Sequence, residues 1–179
     1  GSIIEAAHEI GVRAPVYITA GWSDLDARNH PEWIVRTMDG KLSSTFTKEK
    51  NRAEGIEKPM GDCAWDHMCL NDGTYCQHIY EITEEVCKRY PELDGLFYDI
   101  TLVNLPCYCE ECTRGMLELG LNPKLEEDGR KYYLIKRQEF QRKCTAILRK
   151  YHPNGTIFFN SGGADISNGP HHQFQTHFE

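Results

Sequence analysis

Three times along the chain an amphipathic stretch closes on a breaker and is followed by a short apolar run. Ile3 to Ile10 reads as the end of a helix stopped by Gly11, and Pro15-Val16-Tyr17-Ile18-Thr19-Ala20 follows as a strand. In the second unit Tyr75, Ile79, Ile82, Val86 and Tyr90 recur at helical spacing on one face. Pro91 forbids continuation, and Leu96-Phe97-Tyr98-Asp99-Ile100 is the strand. In the third unit Tyr133, Phe140, Cys144, Ile147 and Tyr151 trace the helix, Pro153 and Gly155 mark the turn, and Thr156-Ile157-Phe158-Phe159-Asn160 is the strand. Near-continuous apolar strands alternating with helices indicate a parallel sheet covered by helices, so the predicted class is α/β. Each strand ends in small or polar residues: Gly21-Trp22, then Asp99, then Asn160-Ser161-Gly162. Both barrels and open sheets of this class put their chemistry at those carboxyl-terminal ends.

Between Trp22 and Cys63 no convincing apolar period appears, which predicts a long functional or surface connection with a charged stretch from Lys48 to Lys58. It carries Asp24, Asp26 and the run His30-Pro31-Glu32-Trp33. An aromatic ring beside imidazole and carboxylate suits the face and hydroxyls of a sugar. Trp22, Asp24, His30 and Trp33 are therefore candidate substrate contacts, although Trp33 serves equally well to pin the loop to the core.

Composition narrows the function. The 179 residues hold 20 Lys and Arg against 27 Asp and Glu, a net charge of −7, which argues against nucleic-acid binding. With 40% hydrophobic and 11% aromatic residues the chain can pack a core. No run approaches the roughly 18 apolar residues of a membrane span. Neither GxGxxG nor GxxxxGK[ST] follows any strand, which removes most support for nucleotide binding.

Eight cysteines are many for this length. Cys87 and Cys144 fall on apolar helical positions and read as small buried hydrophobes. Cys107-Tyr108-Cys109-Glu110-Glu111-Cys112 is different, because three thiolates in one turn can share a tetrahedral zinc. Cys63, Cys69 and Cys76 are candidates for the fourth ligand, and Cys69 is favoured because a parallel barrel puts its loop beside the cysteine turn. A site of four cysteines is closed, hence structural. Free thiols at such a cluster favour a cytoplasmic protein.

Asp94-Gly95-Leu96-Phe97-Tyr98-Asp99, the cysteine run, and Cys69-Leu70-Asn71 upstream with Tyr75 resemble the middle of (β/α)₈ glycoside hydrolases, in particular the family called hypothetical glycosyl hydrolase 6. The pattern is also similar to the zinc-carrying family 42 β-galactosidases. The resemblance implies an incomplete TIM barrel, a single partial domain over 1–179 cut at both ends, with parallel strands from roughly the second to the sixth. The Val16 strand would be the second, a short third would lie near Ala64 to Leu70, and Thr176-His177-Phe178-Glu179 would open the sixth. Family 42 places its acid/base Glu where this chain has Thr101, so that mechanism does not carry over. An Asp at the end of the fourth strand is similar to the nucleophile of the family 29 α-L-fucosidases and of the α-amylase clan.

Glycoside hydrolysis needs two carboxyl groups flanking the scissile bond. Asp99 is the first candidate, with a loop-capping Asp as the plain alternative. Glu179, Asp165 or a residue beyond the chain supplies the second, and Asn160 is a candidate sugar contact. The expected function is hydrolysis of galactoside-like or fucoside-like carbohydrates. The alternatives are a non-catalytic carbohydrate-binding or zinc-stabilised barrel, and a barrel oxidoreductase for which no cofactor motif is present. The expected partner is a carbohydrate substrate, with no nucleic acid or membrane, and homo-oligomerisation of the full-length protein stays open.

Overall fold

The structure, a computed structural model, describes residues 2–42, 67–71, 73–101 and 106–160. Its elements are α1 (Ile3–Glu9), β1 (Val16–Thr19), α2 (Asp24–Asn29), a one-turn 3₁₀ helix (Pro31–Trp33), α3 (Thr74–Arg89), β2 (Gly95–Asp99), α4 (Glu110–Glu118), α5 (Glu126–Tyr151) and β3 (Thr156–Phe159). The breakers act where the pattern put them. Ser2 and Glu5 close a capping box at the start of α1, and Gly11 follows its end with φ +74°.

The three strands form one parallel sheet in the order β1-β2-β3. Val16 pairs with Leu96 and Thr19 with Asp99, while Leu96 pairs with Ile157 and Tyr98 with Phe159. Alternation along each strand then sorts the side chains. Ile18, Leu96, Tyr98, Ile157 and Phe159 are buried in one core with Ile79 and Cys87 of α3 and with Phe140, Cys144 and Leu148 of α5. Tyr17, Phe97 and Phe158 line up on the other face, half-buried or exposed, with ring centroids 5.6 Å and 4.9 Å apart.

The third strand expected near Ala64 to Leu70 is not found between its supposed neighbours. Residues 64–66 lie outside the described residues, and His67 and Met68 make only isolated antiparallel bridges, to Trp22 and Ile34. β1 and β2 are hydrogen-bonded to one another along their length, which leaves no room for a strand between them. The Val16 and Leu96 strands are consecutive in the sheet rather than second and fourth. The segment expected to open a sixth strand, and the charged stretch from Lys48 to Lys58, lie outside the described residues.

The long connection is also less featureless than its composition suggests. Ser23 caps α2 by accepting from the Asp26 amide at 3.1 Å, and the 3₁₀ turn begins on Pro31. Each of the two long helices is turned slightly from its expected stripe. In α3 the fully buried row includes Tyr75, Ile79, Thr83 and Cys87, and in α5 Leu148 is buried where Ile147 was expected. Thr83 fits a dry position because its hydroxyl donates to the Ile79 carbonyl at 2.7 Å and accepts from Tyr98, also at 2.7 Å.

Candidate metal centre and strand-end carboxylate

Cys107 lies just before α4, Cys109 is the N-cap of that helix in extended backbone, and Cys112 lies in its first turn. Helix entry thereby curls three thiols around one point. The fourth arrives through the connection after α2. Arg36 accepts from the Tyr108 amide at 2.8 Å, Val35 donates to His67 O at 2.8 Å, and Cys69 donates to Trp33 O at 2.8 Å. Residues 33–36 are thus laced to the Cys69 segment and to the cysteine turn, a role that no periodicity in those residues announced.

The sulfurs of Cys69, Cys107, Cys109 and Cys112 lie within 4.8 Å of one another, and three of the four residues are buried. Cys69 and Cys112 approach to 3.5 Å, well beyond a disulfide bond. A tetrahedron with metal–sulfur bonds of about 2.3 Å sets its sulfurs roughly 3.8 Å apart, so the cluster fits a metal ion. Amide donors already face the sulfurs: the Arg36 and Cys109 N–H groups each lie 3.4 Å from Cys107 Sγ, and Asn71 Nδ2 lies 3.6 Å from Cys112 Sγ. Such donors favour thiolate. The neighbouring S–H groups of Cys107, Cys112 and Cys69 push Cys109 down, whereas contacts with Cys107 and Cys109 push Cys112 up. A bound cation would ionise all four. Cys76 lies instead in the main core with its sulfur 3.9 Å from Cys69 O, and Cys63 is outside the described residues.

At the end of β2, Asp99 meets donors from three directions. Tyr17 on β1 donates its phenolic proton to Oδ2, and Asn160 Nδ2 donates to Oδ1 at 2.5 Å. The Ile100 amide reaches Oδ1 at 2.9 Å. Partial burial pushes the carboxyl up, but the Tyr17, Asn160 and Ile100 donors outweigh it and hold Asp99 below the ordinary carboxylate value. Ile100 has φ +51°, a strained conformation for a β-branched residue. Thr101 is fully buried, and its amide and hydroxyl both donate to Asn160 O at 2.9 Å. Thr101 therefore holds Asn160 in place.

The expected sugar contacts are not all gathered around Asp99. Asn160 is bonded to it. Trp22 is half-buried and bridges to His67, while Asp24 is exposed on the first turn of α2. His30 stacks on Trp33 at 3.8 Å, and Trp33 packs against the main core and donates to Thr74. Trp33 thus pins the loop. Glu179, Asp165 and the histidines at 171, 172 and 177 lie outside the described residues. Tyr17 was missed, although strand alternation puts it on the same sheet face as Thr19, the register partner of Asp99.

Residues 1–100 match the family model described as hypothetical glycosyl hydrolase 6. The chain belongs to this family. Of solved structures similar to this chain, α-L-fucosidase isoenzyme 2 from Paenibacillus thiaminolyticus gives a TM-score of 0.70 at 28% identity, over 89% of this chain and 22% of that one. The cold-adapted β-galactosidase from Rahnella sp. R3 gives 0.65 at 11% identity, over 88% of this chain and 27% of that one. The β-galactosidase from Bacillus circulans sp. alkalophilus gives 0.63 at 14% identity, over 90% and 28%. The two galactosidases share the fold. The chain spans 22% to 28% of the length of these three structures. No curated protein matches it. Among the described residues, no helix is long and apolar enough to cross a membrane.

Proposed function

We propose that the chain is part of a (β/α)₈-barrel glycoside hydrolase in which Asp99 is the reacting strand-end carboxylate. The observation that carries this reading is the carboxylate itself: half-buried at the end of the middle strand, it is held below its ordinary pKa by three hydrogen-bond donors and, among the described residues, by no cation. A nucleophile needs its charge held and its attack unblocked. The 28% identity with an α-L-fucosidase, against 11% and 14% with the β-galactosidases, favours a fucoside-like substrate. The second carboxylate is Glu179 or a residue of the longer protein. Of the proposed sugar contacts, Asn160 keeps the strongest claim because it already touches Asp99.

In the same reading Cys69, Cys107, Cys109 and Cys112 hold zinc, which would crosslink the loop before α3 to the start of α4 without taking part in the reaction. A cluster of reduced thiols fits a cytoplasmic protein. The test is Asp99→Asn in the full-length enzyme, assayed with 4-nitrophenyl fucosides and galactosides. The exchange keeps the shape, and turnover should fall by about 10³-fold or more while the protein stays folded. Near wild-type turnover would place the nucleophile elsewhere.

A further inference from the structure

We propose that Tyr17 is a positioning residue for Asp99, its phenol holding the one carboxylate oxygen that Asn160 and the backbone leave unclaimed. The inference rests on the reading of Asp99 as the reacting carboxylate. Oδ1 accepts from Asn160 Nδ2 and from the Ile100 amide, and Oδ2 accepts from Tyr17. With Oδ1 doubly engaged, Oδ2 keeps the spare lone pair, and Tyr17 sets the plane in which that lone pair points.

The placement of the ring supports a role beyond packing. Thr19 is the register partner of Asp99, and Tyr17 stands two residues before it on the same sheet face. The ring therefore lies along the sheet, stacked on Phe97 with an interplanar angle of 15°, and its hydroxyl reaches forward to the strand end. Phenylalanine would stack as well. Tyr17 is 54% exposed, so little core energy depends on it. The groups facing the phenol are the Asp99 carboxylate and the Thr19 hydroxyl, and the carboxylate keeps the phenol protonated as a donor. Removing the hydroxyl leaves Oδ2 without its donor, which destabilises the charged form of Asp99.

The experiment compares wild type with Tyr17→Phe in protein labelled at the aspartate carboxyl carbons, following the Asp99 titration by ¹³C NMR, with Asp99→Asn to assign the resonance. The Asp99 pKa should rise by about 0.5–1 unit in Tyr17→Phe, with the melting temperature at neutral pH lowered by only a few degrees. With an aryl glycoside substrate the acid limb of kcat/KM should move to higher pH by the same amount. The rate constant kcat should fall about tenfold, with KM within about threefold. An unchanged titration overturns the inference, as does a raised pKa with an unshifted acid limb. If Asp99→Asn still hydrolyses substrate at the wild-type rate, the catalytic reading fails, and the titration alone then decides whether Tyr17 governs the charge on this carboxylate.

Discussion

Replacing Gly21 by Ala is expected to damage the fold and the carboxylate site together. A Cβ at Gly21 would sit 1.4 Å from the Ile100 carbonyl oxygen and 2.6 Å from its carbon. The atoms in the way are backbone, so no rotamer change can clear them, and the β1 and β2 ends must separate by roughly 2 Å to reach an ordinary contact. Two hydrogen bonds cross that junction, from Ala20 N and Gly21 N to Asp99 O at 3.2 and 3.3 Å, and Met68 N donates to Gly21 O at 2.9 Å beside it. Losing two of them costs about 1–3 kcal/mol each, because the partners stay buried. The lower conformational entropy of unfolded Ala returns about 0.4–1 kcal/mol. A net destabilisation of about 1–5 kcal/mol follows from these terms, with the backbone clash adding to it, a large part of the ~5–15 kcal/mol of a typical domain. Gly120→Ala is the control. Its φ is +72° and nothing lies within 4 Å of the added methyl, so only the backbone conformation is penalised, at about 1–2 kcal/mol. Equilibrium denaturation in urea, read by tryptophan fluorescence and circular dichroism, separates the two. A Gly21→Ala cost no larger than that of Gly120→Ala would show that the strand ends are not in this contact.

The metal reading predicts about one zinc per chain in protein purified under reducing conditions, and Cys112→Ala should lose it along with several kcal/mol of stability. Metal content that is unchanged in the variant, or absent from wild type, would refute the site. For Asp94, His8 Nε2 at 2.7 Å and then the Ala14 amide, also at 2.7 Å, hold the carboxyl below its ordinary value. A lowered folded-state pKa contributes stability above the unfolded value of about 4, and that stability is lost as pH falls through the folded value. Asp94→Asn should therefore be less stable than wild type near pH 7 and converge with it near pH 2. A stability difference independent of pH would argue against the contact.

The sequence by itself determined the three helix–strand units and their order, because breakers and periods act locally. Gly11, Pro91 and the Pro153–Gly155 turn end helices wherever they stand, and apolar strand runs alternating with helices allow little other than a parallel sheet. The cysteine centre was legible for a related reason: the spacing of Cys107, Cys109 and Cys112 confines three sulfurs to one turn, and only the fourth needed the fold to bring it. The tertiary structure decided what depends on pairing between distant segments. Register places Val16 beside Leu96 and leaves His67–Leu70 outside the sheet, which no local pattern encodes. A threonine occupies the dry face of α3 because Tyr98 arrives from another element to share its hydroxyl. Asp99 was visible as a polar interruption of an apolar strand, but its charge is fixed by Tyr17 from one neighbouring strand and Asn160 from the other. Asn160 stood out along the chain only as a polar strand end, and Tyr17 does not differ there from many tyrosines that do nothing of the kind. A hydrogen bond is decided within a few tenths of an ångström, and that precision exists only after three strands have been brought into register.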